Sequence, residues 1–185
     1  MAFASCRVCF WLYTISCGMV LVGVATFGVM SFYTVFAGIA QLALVPVLSA
    51  VAMGVDAVFA AVAGAMFGRM GPRVLFVLPV VCAAIPFCAC AENIVPVIAS
   101  VVLWGASLGI QESTMRAAVA GMVPANVRAS AYGMFAVATG IGSLLGGTIA
   151  GFLYGIAPLT RAIFTVCVEA AALVCLARAI RRQKA

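Results

Sequence analysis

The sequence contains no histidine and only four acidic residues among its 185. Without histidine, a serine–histidine hydrolase has no base, and without clustered carboxylates a two-metal centre has no ligands. Charged residues make up 8% of the chain, about a third of the share in a typical soluble protein. We therefore predict that the chain is not an enzyme and that it needs no cofactor.

The chain also lacks any polar stretch long enough to form a soluble domain. Instead, 67% of its residues are hydrophobic and its mean hydropathy is +1.30. A membrane-spanning helix needs roughly 20 apolar residues, and charges, glycines and prolines divide the chain into six such segments. We predict an all-α integral membrane protein, one domain over 1–185 in the lipid bilayer, with six transmembrane helices at about 10–33, 42–67, 74–90, 96–115, 129–153 and 158–177.

Most of the charge that is present is basic, and it lies at predicted helix ends. Nine of the ten basic residues fall on one side of the predicted topology, and Arg161 alone falls on the other; the nine are Arg7, Arg69, Arg73, Arg116, Arg128, Arg178, Arg181, Arg182 and Lys184. They form no solvated basic surface with interleaved aromatics, so they do not indicate nucleic-acid binding. The positive-inside rule predicts a cell-membrane protein with both termini in the cytoplasm.

Eight cysteines are present, mostly inside apolar runs, where they act as small packing residues. Cys6 and Cys9 have CxxC spacing, and Cys88 and Cys90 lie close together. With no histidine and no second CxxC, these pairs are a weak signal for a metal site. We predict no metal.

The fourth predicted helix carries polar residues on one face. Ser100, Trp104, Ser107, Gln111 and Thr114 are spaced four, three, four and three apart, which is the period of one helical face. Such a face can meet water or a polar solute, or it can join neighbouring helices by hydrogen bonds. We favour the solute and single out Ser107 and Gln111.

The fifth predicted helix repeats small residues at every fourth position. These are Thr139, Ser143, Gly147, Gly151 and Gly155. Small side chains let another helix approach closely. We predict helix packing through Ser143, Gly147 and Gly151, with a helix of this chain or of a partner.

Three carboxylates are predicted to lie in or beside the membrane. Asp56 lies about 16 Å from the end of its helix, near the middle of a core about 30 Å thick. It either takes part in proton or cation coupling or is a protonated structural residue. Glu112 and Arg116 are four apart in the order that favours a helical ion pair. Glu169 is also deep, midway between Arg161 and Arg178.

Two stretches resemble a known family. One is GAMFGRMGPRVLF at 64–76, and the other is WGASLGIQESTMRAAVAGMVP followed by RASAYGMFAVATGIGSLLGGTIAGFLYG, within 104–155. Together they resemble the carboxyl-terminal six-helix half of a major facilitator superfamily transporter of the bacterial permease type. Gly64, Arg69, Gly71 and Arg73 match that family's cytoplasmic loop, and Gly68 departs from it where the family usually has an acidic residue.

The resemblance implies transport of a small solute by two halves that rock against each other. It implies solute binding or coupling at Asp56, Ser107 and Gln111, and a cytoplasmic gate formed by Arg69, Arg73, Glu112, Arg116 and Arg128. The family's last helix is peripheral, which predicts a packing or oligomer contact for Glu169. The partner would be a second six-helix half or a second copy. The alternatives are a substrate-binding membrane subunit of a multi-component transporter and an inactive transporter fragment.

Overall fold

A computed structural model describes the backbone of residues 2–24, 26–89, 93–156 and 158–183, and the side chains of 8–24, 26–89, 93–153 and 159–182. All regular structure in these ranges is helical, as the sequence predicts. The α-helices are α1 (Ala2–Gly23), α2 (Phe27–Phe36), α3 (Val45–Met70), α4 (Val77–Ala89), α5 (Ile94–Met122), α6 (Arg128–Ile156) and α7 (Pro158–Gln183). Short 3₁₀ helices at Leu42–Leu44, Gly71–Phe76 and Ala125–Val127 precede α3, α4 and α6.

Five segments of the described chain are long and apolar enough to cross a membrane. They are Val8–Phe36, Leu42–Ala89, Ile94–Met122, Ala125–Leu153 and Leu159–Arg182. The chain therefore has the helices of an integral membrane protein. The second segment is 48 residues long and contains both α3 and α4.

The first predicted helix, 10–33, is wrong as one continuous element. The helix ends at Gly23, and Thr26 has an extended backbone with ψ 150° before α2 begins at Phe27. Gly23 and the β-branched residues Val24 and Thr26 are weak helix formers, so these three residues offer little resistance to a break. The apolar composition continues across the break, which is why hydropathy alone does not reveal it.

The boundary between the second and third predicted helices lies at Gly71. Its φ of 63° is a conformation that glycine adopts readily and that ends α3. Pro72 follows and cannot continue an α-helix from the preceding turn. The predicted helix at 74–90 therefore begins as a 3₁₀ helix over Gly71–Phe76 and becomes α-helical only at Val77; residue 90 lies outside the described residues.

The fourth predicted helix extends seven residues further than the predicted end at 115. We expected Arg116 to lie in a loop, and that is wrong, because α5 continues to Met122. Ala118, Val119 and Met122 are buried against the rest of the bundle. Packing of this apolar face stabilises the last two turns, although Arg116 itself is exposed.

Close contacts between glycines and neighbouring backbones give the relative directions of the helices. Gly105 of α5 lies against the backbone of Ala52 in α3, and Gly109 lies against that of Asp56. The second contact is four residues after the first in both helices, so α3 and α5 are parallel. In the same way Gly142 of α6 lies against Gly18 of α1, and Gly146 lies against Leu21 and Val22. Helices α1 and α6 are therefore also parallel.

Helices α1 and α7 run in opposite directions. The Ser16 hydroxyl donates to the Ala172 carbonyl at 2.9 Å, and the Thr165 hydroxyl donates to the Gly23 carbonyl at 3.0 Å. From the first bond to the second, the residue number rises by seven along α1 and falls by seven along α7. The start of α1 and the end of α7 consequently lie at the same end of the bundle.

Seven arginines lie at this end, which we call the arginine end: Arg69, Arg73, Arg116, Arg128, Arg178, Arg181 and Arg182. A hydrogen bond of 3.4 Å from the Tyr132 hydroxyl to the Arg116 carbonyl joins α5 to the first turns of α6 there. Arg161, near the start of α7, lies toward the opposite end. The basic residues are therefore segregated in space as well as in sequence.

Candidate solute groove

A cavity of about 610 Å³ separates α5 from α6 and reaches α1. Its lining residues are Leu21, Gln111, Glu112, Met115, Arg116, Tyr132, Phe135, Ala136, Thr139, Gly140 and Ser143. Arg116, Glu112 and Tyr132 form its wall at the arginine end. Polar groups and apolar rings line it together, as in sites for small polar molecules.

A second cavity of about 130 Å³ continues the first one away from the arginine end. Leu21, Gln111 and Ser143 line both cavities, and the smaller one adds Val24, Thr26, Trp104, Ser107 and Leu108. The two cavities together form one groove along α5, which we call the solute groove. Trp104 lies at its inner part, where its ring packs on Phe27 with centroids 5.4 Å apart.

The groove exists because glycines hold α5 and α6 to different neighbours. Gly105 and Gly109 hold α5 against α3, whereas Gly142 and Gly146 hold α6 against α1. A helix can approach a backbone this closely only where side chains are absent. Gly105 and Gly109 lie on the opposite side of α5 from Gln111. The face of α5 that carries Gln111 is therefore not packed against α3 and lines the space between α5 and α6.

The predicted polar face of α5 divides into two parts. Trp104, Ser107 and Gln111 line the groove. Ser100 and Thr114 are fully buried instead, and their hydroxyls donate to the carbonyls of Val97 and Ile110 in their own helix. Those two residues at the ends of the face therefore do not line the groove.

The small residues of α6 also divide into two parts. Thr139 and Ser143 line the groove, while a Cβ added at Gly147 would lie 3.5 Å from the Thr26 side chain. Gly151 is exposed, with open space where a Cβ would be, and the side-chain position of 155 lies outside the described residues. The close helix contact within the chain is made by Gly142 and Gly146, one position earlier in the repeat than the predicted residues.

The predicted gate residues are all exposed at the arginine end. Glu112 and Arg116 line the larger cavity. Arg69 lies in the last turn of α3, Arg73 in the 3₁₀ helix that follows, and Arg128 at the start of α6, and these three are not among the groove-lining residues. The structure thus brings one pair of the predicted gate to the groove.

Asp56 lies on α3, outside the groove. Its backbone carbonyl packs against Gly109 on the far side of α5. Its Oδ1 atom is buried, and no described residue forms a hydrogen bond with it. The residue that we singled out for coupling therefore belongs to the α3–α5 contact and is separated from Gln111 by the thickness of α5.

Of the two contacts expected for Glu169, packing or oligomer, the structure shows the packing contact, inside the bundle and against Gly23 of α1. Only 2% of this residue is exposed, and it lies on the face of α7 that packs inside the bundle rather than on an outer face suited to an oligomer contact. The signal was present in the sequence, because Arg161, Thr165 and Glu169 are spaced by four and all three are buried. A polar stripe of this kind predicts an inward face, just as an apolar stripe would in a soluble protein.

Among the described residues, no group of three or more cysteine, aspartate or glutamate side chains could hold a metal ion. Cys82 on α4 and Cys9 on α1 are buried free thiols. The side chain of Cys6 and residue 90 lie outside the described residues.

No protein-family model matches the chain. Curated relatives include uncharacterized proteins of Mycobacterium tuberculosis and Mycobacterium bovis, each 39% identical over 165 residues. The matched region is 89% of this chain but 40% of each relative, so the chain spans about two fifths of the length of the curated relatives it matches. This similarity covers nearly all of the described helices and assigns no activity.

Proposed function

We propose that the chain moves a small polar solute across the cell membrane as a six-helix half of a major facilitator superfamily transporter. The observation that carries this proposal is the solute groove, which runs from the arginine end toward the middle of the bundle with Gln111 lining both of its cavities. A primary amide offers two donors and an acceptor to a solute. Buried polar groups of this kind are the usual means by which a membrane protein binds a solute along its path.

The helix directions support six crossings. Helix α3 has 26 residues and is about 39 Å long, which already exceeds a hydrocarbon core of about 30 Å. The 3₁₀ helix Gly71–Phe76 and α4 together add about 31 Å. With α3 and α4 as separate crossings, α1 and α6 are the first and fifth and run in the same direction, while α1 and α7 are the first and sixth and run in opposite directions. If α3 and α4 formed a single crossing, α6 would be the fourth crossing and α7 the fifth. Helix α1 would then be antiparallel to α6 and parallel to α7.

The same directions support an orientation with both termini in the cytoplasm. An even number of crossings puts the two termini on one side of the membrane. That side carries the arginine end, and the positive-inside rule assigns it to the cytoplasm. In this orientation Glu112 and Arg116 lie at the cytoplasmic mouth of the groove and act as the gate.

A second half completes the pathway. The groove is open along one side, and in the two-half architecture the solute lies between halves that rock against each other. The curated relatives contain more than twice the matched length, which leaves room in them for a second set of helices. This second half is another set of six helices or a second copy of this chain.

A test of transport uses cells that naturally produce the protein, with the chromosomal copy changed to Gln111→Leu. Leu144→Ala is the matched control, because Leu144 is 70% exposed on α6 and does not line the groove. Small solutes in the cells and in the medium are compared by mass spectrometry. We expect the distribution of at least one solute to change in the Gln111 variant and not in the control. Unchanged distributions of all solutes in the Gln111 variant would contradict the proposal.

A further inference from the structure

Glu169 is a carboxyl group inside the bundle with no hydrogen-bond donor. It is 2% exposed, and neither Oε1 nor Oε2 forms a hydrogen bond with any described residue. It lies on α7 about 16 Å from the helix start at Pro158, and hence near the middle of the hydrocarbon core. An ionised carboxylate in this position would lose its hydration and would gain no hydrogen bond from a described residue.

Two hydroxyl groups on the helices beside Glu169 donate their protons to backbone carbonyls. Thr165, one turn earlier on α7, donates to the Gly23 carbonyl at 3.0 Å. Ser16 on α1 donates to the Ala172 carbonyl, three residues after Glu169, at 2.9 Å. Because a hydroxyl has a single proton, each can only accept a hydrogen bond from Glu169. A protonated carboxyl could donate such a bond, whereas a carboxylate could not, so these surroundings favour the neutral form.

The titratable groups around Glu169 offer no cation within contact. The elements packed against α7 are α1, α4, α6 and the 3₁₀ helix before α4. The titratable or charged side chains described on these elements and on α7 are Cys9, Tyr13, Cys17, Arg73, Cys82, Cys88, Arg128, Tyr132, Arg161, Cys167, Cys175, Arg178, Arg181 and Arg182. Arg161 lies two helical turns away on α7, at a rise of about 12 Å.

Glu169 also lies directly behind the wall of the solute groove. Its carboxyl group packs against Gly23, and the next residue, Val24, lines the smaller cavity. The carboxyl group is thus one side-chain layer from the inner part of the groove.

We propose that Glu169 is a proton-binding site that loads and unloads through the smaller cavity. On loading, an O–H bond forms on the carboxylate as a hydronium ion in the cavity gives up a proton and becomes water; unloading is the reverse. The coupling of this proton to solute movement rests on the proposed transport function, but proton binding by Glu169 does not. A buried carboxyl can move between the two sides of a membrane at low cost only as the neutral acid, which is what coupling requires.

Infrared difference spectroscopy of the purified protein in lipid membranes tests the site directly. At neutral pH we expect a protonated-carboxyl band in the wild-type protein that is lost in Glu169→Gln and that is replaced reversibly by a carboxylate band when the pH is raised. A band that stays unchanged at high pH would mean a permanently protonated carboxyl and would overturn the proposal. Glu112→Gln is the matched control, since Glu112 is exposed at the groove mouth, and it should leave the band intact. A band that persists in full in Glu169→Gln, or a wild-type protein without the band, would overturn the proposal. So would a band that disappears when sodium replaces potassium at constant pH, because that result indicates a metal-cation site.

A second variant covers the case in which Glu169→Gln does not fold. Glu169→Asp keeps the acid and withdraws it by one methylene, so the band should remain and shift in frequency. An unshifted band would mean that it belongs to another carboxyl group and would contradict the assignment. Neither spectrum requires a solute. A missing band therefore refutes the proton site alone, whereas unchanged solute distributions in the Gln111→Leu cells bear on transport alone.

Discussion

Gly23 on α1 lies directly against the side chain of Glu169 on α7. A Cβ added to Gly23 would come within 3.0 Å of the Glu169 Cδ atom and nearer still to Oε1. Non-bonded atoms essentially never approach so closely, so a side chain at position 23 would force the buried Glu169 side chain to shift. The same glycine supplies the carbonyl that Thr165 binds, which fixes the two helices beside the buried carboxyl group.

Gly23→Ala should therefore destabilise the protein, by about 1–3 kcal/mol as for other overpacked sites. The double variant Gly23→Ala/Glu169→Ala should recover part of this loss, because shortening Glu169 makes room for the added methyl group. Thermal unfolding in detergent of the wild-type, single and double variants gives the coupling free energy. Gly28→Ala is the control, since open space surrounds Gly28. Strictly additive effects would show that Gly23 and Glu169 do not touch.

The α3–α5 contact depends on Gly109 in a comparable way. An added Cβ would meet the Asp56 carbonyl and lie 2.7 Å from the Ala60 nitrogen, and neither backbone atom can move aside without shifting α3. We expect Gly109→Ala to lower the unfolding temperature. Gly121→Ala on the same helix should leave it unchanged or raise it, because Gly121 is exposed with open space around it and alanine favours a helix. Equal unfolding temperatures for the two variants would contradict the contact.

The sequence predicts the helical class, the groove face of α5 and the segregation of charge, because each depends on helical period or on composition. The spacing places Trp104, Ser107 and Gln111 on one face, but it places the buried residues Ser100 and Thr114 there as well, and only the packing of α5 separates the two sets. The break at Thr26 does not, because hydropathy continues through it. The sequence also does not predict which small residues of α6 contact a neighbouring helix. Gly142 and Gly147 both fit a four-residue repeat, and only the rotation of α6 against α1 decides which of them makes the contact. For Glu169 the sequence left a packing contact and an oligomer contact open, and the position of α7 against α1 decides for packing within the chain.

The crossing number can be tested with reporters. A fluorescent protein that matures only in the cytoplasm should be active when it is fused to either terminus, because six crossings return the chain to the side on which it began. A fusion between Asn93 and Ile94, at the end opposite the arginine end, should be dark. Activity at one terminus and not at the other would support an odd number of crossings.

The exposed face of α6 should contact a partner. In a variant with all native cysteines replaced and a normal elution profile, Gly151→Cys should cross-link to a second chain in native membranes. Gly151 has open space around it, and Phe152 beside it is 72% exposed. Val80→Cys on α4, with Val80 63% exposed, is the control and should not cross-link. Equal cross-linking of both, or of neither, would argue against a partner on α6.

The central claim is that the groove along α5 admits water and solute from the cytoplasm, and thiol labelling at Gln111 tests it most directly. In the same cysteine-free background, Gln111→Cys in inside-out membrane vesicles should react rapidly with a charged maleimide, because thiolate forms only where water reaches the sulfur. Leu144→Cys, on the exposed apolar face of α6, should react slowly. A Gln111→Cys thiol that is as unreactive as the Leu144→Cys thiol would contradict the account.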